Sequence, residues 1–148
     1  MASGTGLGPE VVVVTGGASA LGRRVAALAA GDPAVGRVVA LDRRLVAPPI
    51  PGVEAHTVDL AAGDLKTLLE GATSVVHLAE VSGPEAPEEE ALGDGALARR
   101  VLDAASAVGA EHIVLLSSAI VYGAWANNPV PLTEDAPLRP NPGVVAAS

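Results

Sequence analysis

The chain has 148 residues, which is enough for one domain with a hydrophobic core. Its formal net charge of -8 argues against a nucleic-acid partner, and the absence of cysteine excludes disulfides and thiolate chemistry. Hydrophobic residues make up 49% of the chain but aromatic residues only 1%, so the core must consist of Val, Leu, Ile and Ala. This composition is typical of strands buried on both faces beneath helices.

The N-terminal residues 1–9 are glycine-rich and carry neither the basic region nor the apolar run of a signal peptide. No apolar segment elsewhere approaches the length of a membrane span. We therefore expect a flexible N-terminus, one domain over residues 10–148, and a cytoplasmic location without membrane contact.

Apolar runs and helical patterns alternate along the chain. The predicted strands are Val11–Val14, Arg37–Asp42, Val53–Val58, Ser74–Ala79 and His112–Ser117, and the predicted helices are Leu21–Ala30, Ala61–Glu70 and Ala96–Val108. The Pro- and Glu-rich segment Gly83–Glu90 is expected to be mobile, and residues 119–148 contain no further element of useful length. Because right-handed crossovers join such strands, we predict an α/β fold, a Rossmann-like doubly wound parallel sheet with strand order 3-2-1-4-5.

A glycine-rich turn, Thr15–Gly22, joins the first strand to the first helix. In this setting the backbone approaches a dinucleotide pyrophosphate closely, and the N–H groups at the helix start face its negative charge. Ser19 stands where a pattern of three glycines has its second glycine. If this position requires a positive φ, Ser19 is strained; alternatively, its hydroxyl group can donate to a phosphate oxygen.

Acidic residues follow two of the predicted strands. Asp42 can accept hydrogen bonds from the ribose hydroxyls of an adenosine, and its charge favours NAD over NADP, whereas Arg43 and Arg44 favour a 2′-phosphate. A solvated strand end is the alternative for Asp42. Asp59 can accept a hydrogen bond from the adenine amino group, cap the helix that begins near Ala61, or do both.

Three further observations concern possible catalytic or metal-binding residues. His77 lies within an apolar strand and is expected to be a hydrogen-bonded core residue. Because His56, His77 and His112 lack metal-ligand spacing, no metal site is expected. Ser118 follows the fifth strand, where it could contact a substrate hydroxyl or carbonyl, or could simply be a polar strand end.

Six short motifs follow one another along the chain. They are TGGASALG at 15–22, LDR at 41–43, VDL at 58–60, VVHLAE at 75–80, LSSAIVYG at 116–123, and LTED with Pro137 and Pro140 at 132–140. In order and spacing these motifs resemble those of the extended short-chain dehydrogenase/reductase family, the NAD-dependent epimerase/dehydratase group. The resemblance runs along nearly the whole chain.

The resemblance implies a set of cofactor-binding residues and one catalytic residue. NAD is the implied cofactor, with NADP less favoured, and Ser118 matches the family's catalytic serine. Tyr122 belongs to the V-Y-G turn and does not match the family's catalytic tyrosine. The implied cofactor-binding residues are Gly16, Ser19, Ala20, Leu21, Gly22, Asp42, Arg43, Asp59, Leu60, Leu78, Ala79 and Glu80.

One part of the family's pattern is not found. In the family, Y-x-x-x-K follows the P-x-T-E-D segment and a substrate-binding region comes after it, but here neither Tyr nor Lys follows Tyr122, and the only lysine is Lys66. Without the corresponding helix, we expect Val75, Leu78, Ile113 and Leu115 to be partly bare, since nothing else would cover that side of the sheet.

Together these features give one main functional hypothesis and two alternatives. We expect the NAD-binding portion of an epimerase/dehydratase-like oxidoreductase, acting on a nucleotide sugar or a similar carbonyl or hydroxyl substrate and inactive alone. The alternatives are a catalytically inactive NAD(P)-binding sensor or scaffold, and an enzyme that a partner subunit completes. A homo-oligomer is possible.

Overall fold

The computed structural model describes residues 9–79 and 88–141. Glu80 and most of the segment Gly83–Glu90 lie outside the described residues. The chain divides into two compact units, Met1–Ala79 with Leu97–Leu115 and Glu80–Ala96 with Leu116–Ser148. None of the described helices is long and apolar enough to cross a membrane.

The first unit contains a five-stranded parallel sheet. Its strands are β1 (Glu10–Thr15), β2 (Val35–Asp42), β3 (Val53–Thr57), β4 (Ser74–His77) and β5 (His112–Leu115), and the described helices are α1 (Ala20–Ala30), α2 (Leu65–Leu68), α3 (Glu88–Ala107) and a short 3₁₀ helix, Ala119–Tyr122. The order is β3-β2-β1-β4-β5, which confirms the predicted α/β fold and strand order.

The core is formed around the central strand β1. Val12 and Val14 pack with Ala26 of α1 and with Val38 and Ala40 of β2. Because side chains alternate along a strand, Val13 points to the opposite face. There it pairs in register with Val75, and both side chains are fully buried. Val12, Val13 and Val14 are therefore buried across both faces of the sheet, as the composition predicts, and Val11 is half-buried.

Two helix boundaries differ from the predictions. The helix predicted at Ala61–Glu70 is only Leu65–Leu68, because a turn follows Asp59 and the N-cap is Asp64, which accepts from Lys66 N and Thr67 N. Helix α3 begins at Glu88 and not at Ala96, so the last residues of the segment expected to be mobile are helical.

The expected bare apolar surface is found only in part. Val75 is fully buried, contrary to the prediction, and lies in register between Val13 of β1 and Ile113 of β5. Ile113 and Leu78 are half-buried. The exposure is concentrated on the edge strand β5, where Val114 is 55% and Leu115 43% exposed.

We predict that Leu69→Ala lowers the free energy of unfolding by about 2–5 kcal/mol, because Leu69 is fully buried and its truncation leaves a cavity. Leu28→Ala is the matched control, since Leu28 is 62% exposed on α1 and its loss should change stability by less than about 0.5 kcal/mol. Urea unfolding followed by circular dichroism measures both variants. Equal effects of the two would contradict the described core.

Candidate functional site

The glycine turn lies at the carboxyl end of β1, in the centre of the sheet. Gly16 has φ +74°, and a Cβ atom on it would stand 2.7 Å from the carbonyl carbon of Leu78. A Cβ atom on Gly22 would stand 2.1 Å from the carbonyl oxygen of Gly16. The glycines at these two positions are therefore required by the protein's own backbone packing, independently of any ligand.

The first N–H groups of the turn bind to the end of β2. Gly16 N and Gly17 N both donate to the carbonyl oxygen of Leu41, at 2.8 and 3.2 Å. Ala18 N donates to Oδ2 of Asp42 at 2.9 Å. Three consecutive donors are thus occupied within the protein and are not available to a ligand.

Ser19 caps α1 and causes no backbone strain. Its φ is −70°, so the strain considered for this position does not arise. Its Oγ atom accepts from Gly22 N at 3.0 Å and donates to the Gly16 carbonyl at 2.8 Å. The hydroxyl proton is therefore used inside the turn in this structure, and donation from Ser19 to a phosphate oxygen stays a prediction.

Two N–H groups at the start of α1 remain available. Within the described part of the chain, Ala20 N and Leu21 N have no hydrogen-bond acceptor, and both residues are exposed. They lie in the first turn of an 11-residue helix, where the helix dipole adds partial positive charge. This pair of adjacent donors is suited to an anionic group.

Asp42 is a buried carboxylate held by backbone and side-chain donors. It is only 6% exposed, and its Oδ1 accepts from Arg44 N at 2.8 Å and from Arg44 Nε at 3.4 Å. Burial acts to raise the pKa of Asp42, but the backbone hydrogen bonds from Arg44 and Ala18, together with the side-chain hydrogen bond and the charge of Arg44, outweigh it and the pKa is lowered. Asp42 is therefore negatively charged at neutral pH.

A buried polar pair fixes the neighbouring ends of β1 and β4. Thr15 Oγ1 lies 2.7 Å from Nδ1 of His77 and accepts from Leu78 N and Ala79 N at 3.2 and 3.4 Å. Both side chains are buried, so His77 is a hydrogen-bonded core residue, as the sequence indicated. The pair holds the backbone of residues 78 and 79 against Gly16.

The other predicted cofactor residues occupy different environments. Asp59 is exposed, and its Oδ1 accepts from Ala61 N at 2.9 Å, which closes a turn and does not cap α2. The side chain of Leu60 is buried, and Arg43 is exposed. Their contacts with a cofactor stay predictions, as does that of Glu80, which lies outside the described residues.

Ser118 belongs to the second unit and is exposed just before the 3₁₀ helix. Its carbonyl accepts from Val121 N at 3.2 Å, and its catalytic role stays a prediction. In the same unit the segment up to Asn141 folds back on the V-Y-G turn, because Arg139 N donates to the Val121 carbonyl at 3.0 Å and Ala124 N to Asn141 Oδ1 at 2.6 Å. Two of the six motifs are thus in direct contact.

Comparisons with known proteins agree with this geometry. The sequence matches the NAD dependent epimerase/dehydratase family over residues 12–143. No curated protein gives a significant match.

Several solved structures are similar. A short-chain dehydrogenase/reductase superfamily protein from Agrobacterium tumefaciens, with bound NAD, is 32% identical with a TM-score of 0.75, over 89% of this chain and 40% of that one. Uronate dehydrogenase from the same organism is 28% identical, with a TM-score of 0.70, over 88% and 48%. MoeE5, in complex with UDP-glucose and NAD, is 29% identical with a TM-score of 0.69, over 87% and 42%. The chain thus spans less than half the length of each.

We predict that Gly22→Ala destabilises the protein by about 1–3 kcal/mol, because its Cβ atom would clash with the Gly16 carbonyl and force the turn apart. Gly95→Ala in α3 is the control, and we expect it to raise the stability of the protein. A Cβ atom on residue 95 has no neighbouring atom within 4 Å, so the free energy of unfolding of this variant should rise by about 0.5–1 kcal/mol. Thermal unfolding distinguishes the two, and a stabilised Gly22→Ala protein would contradict the close packing of the turn.

We also predict that Ser19→Ala lowers stability by about 0.5–2 kcal/mol, because Gly22 N loses its capping acceptor. Ser106→Ala, at an exposed position of α3, should change stability by less than about 0.5 kcal/mol. Chemical unfolding of both variants measures the difference. If Ser19→Ala and Ser106→Ala unfold at the same denaturant midpoint, the Ser19 cap contributes nothing to stability.

Proposed function

The chain belongs to the NAD dependent epimerase/dehydratase family, and on that premise we propose that it binds NAD through the turn between β1 and α1. The observation that carries this proposal is the pair of available N–H groups at Ala20 and Leu21, in a turn whose other described donors are occupied. In the proposed complex this pair binds the pyrophosphate.

The adenosine half of NAD is assigned to the carboxyl ends of β2 and β3. A carboxylate has about four lone-pair positions, of which protein donors occupy three in Asp42, so that capacity remains for a ribose hydroxyl. The negative charge of Asp42 disfavours a 2′-phosphate and therefore favours NAD over NADP. Asp59 and Leu60, which follow β3, are assigned to the adenine.

The similar structures that were solved with NAD support this cofactor. When bound, NAD supplies a hydride acceptor, which makes oxidation of an alcohol the chemistry to expect. We assign Ser118 to the substrate hydroxyl or carbonyl. We propose a nucleotide sugar or a related sugar as the substrate class, since one similar protein is a uronate dehydrogenase and another was solved in complex with UDP-glucose.

The 148 residues contain one tyrosine, in the V-Y-G turn, and one lysine, Lys66 in α2. General acid–base catalysis on an alcohol requires a group whose pKa lies near the working pH, and an unassisted serine does not provide one. We therefore propose that the chain of 148 residues binds the cofactor but does not turn over substrate by itself. Binding without turnover is also what the sensor hypothesis predicts.

Calorimetric titration with NAD and NADP in parallel tests the proposal. We expect NAD to bind at least about tenfold more tightly than NADP, because Asp42 repels a 2′-phosphate. We also expect no NADH formation with UDP-glucose or a uronate as substrate. Absence of NAD binding at millimolar concentration would refute the site, and equal or tighter NADP binding would refute the assignment of Asp42.

A further inference from the structure

We propose that Asp42 is also a positioning residue for the pyrophosphate. By accepting a hydrogen bond from Ala18 N, Asp42 fixes the N–H groups of Ala20 and Leu21. It thereby strengthens the binding of the pyrophosphate, which Asp42 itself does not touch. This inference rests on the proposed function. It assigns to Asp42 a second role, separate from any contact with the ribose.

The first support is the way in which the turn is attached to β2. Gly16 N and Gly17 N are held by the Leu41 carbonyl, an acceptor that any residue at position 41 would supply. Only the third attachment, from Ala18 N to Asp42 Oδ2 at 2.9 Å, depends on a side chain. A side-chain substitution at Asp42 therefore removes one attachment of the turn to β2 and leaves the other two in place.

The second support is the short distance along the chain from the attachment to the available donors. Only Ser19 lies between Ala18 and Ala20, and the N–H and hydroxyl groups of Ser19 both donate to the Gly16 carbonyl, at 3.0 and 2.8 Å. The turn is thus held by Gly16 on one side and by Asp42 on the other. Without Asp42, the half-buried Ala18 N–H loses its acceptor and the start of α1 loses the side-chain attachment that joins it to β2.

The third support is that the carboxylate is itself held on its other oxygen. Arg44 N donates to Oδ1 at 2.8 Å, so that the two oxygens bind two different backbone donors. The Arg44 side chain is 65% exposed and contributes little, since exposed ion pairs are weak. Ala at position 42 removes both acceptor oxygens, so that the Ala18 N–H must lose its partner, whereas Asn could keep one acceptor turned towards Ala18.

The two roles of Asp42 make different predictions for a ligand without ribose hydroxyls. ADP carries both the pyrophosphate and the ribose hydroxyls. In 2′,3′-dideoxy-ADP both ribose hydroxyls are missing, so Asp42 can influence its binding only through the pyrophosphate. If Asp42 acts only through the ribose, Asp42→Ala has no effect on dideoxy-ADP. If it positions the turn, dideoxy-ADP binds more weakly to the variant.

The experiment titrates wild type, Asp42→Ala and the control Asp32→Ala with ADP and with 2′,3′-dideoxy-ADP by calorimetry. Asp32 is the matched control, because its exposed carboxylate also accepts a backbone N–H, from Ala34 at 2.9 Å, before the start of β2. We expect Asp42→Ala to weaken the binding of dideoxy-ADP about tenfold, the effect of losing roughly one charge-assisted hydrogen bond, and Asp32→Ala to leave it unchanged. Weakened ADP binding with unchanged dideoxy-ADP binding would overturn the inference but leave the proposed function intact.

Amide hydrogen exchange of the wild-type protein adds a measurement that does not depend on the folding of a variant. We expect the Ala18 amide to exchange at least about tenfold more slowly than those of Ala20 and Leu21, since only Ala18 N has an acceptor. Equal exchange rates would overturn the inference. If wild type binds neither ADP nor NAD, the proposed function itself fails.

Discussion

The attachment of the glycine turn to the end of β2 is the interaction on which the rest of the site depends. The Leu41 carbonyl and the Asp42 carboxylate together accept three consecutive N–H groups of the turn. This leaves the next available donors at Ala20 and Leu21, at the positive end of α1. The location of the candidate anion site is thus decided by which donors the protein itself has already used.

Ser19 illustrates how a departure from a motif can be accommodated. A serine replaces the middle glycine, yet its backbone has an ordinary φ of −70° and its hydroxyl group makes two hydrogen bonds within the turn. Glycine is required instead at position 16, because φ is positive there, and at position 22, because a Cβ atom would clash with the Gly16 carbonyl. The turn therefore keeps its shape with two glycines in those places and a cap between them.

Around this turn, buried polar groups hold neighbouring strand ends at fixed positions. Thr15 and His77 join β1 to β4, and Asp42 joins the turn to β2. Each of these groups is buried and has hydrogen-bond partners, which is the condition for polar groups to be tolerated in a core. The result is a rigid carboxyl edge of the sheet, and ligands of open α/β sheets bind at this edge.

Much of the fold could be predicted from the sequence, because the alternation of apolar strands and helical patterns is local and the right-handed crossover restricts the strand order. The sequence also identified the glycine turn and Asp42, since both stand at strand ends that the pattern defines. It did not identify Ala18 and Arg44 as the partners of Asp42, the early start of α3 at Glu88, or the full burial of Val75. The contact between Ala18 and Asp42 and the burial of Val75 depend on which groups the folded chain brings together, and this tertiary packing alone decides which donors are occupied and which remain for a ligand.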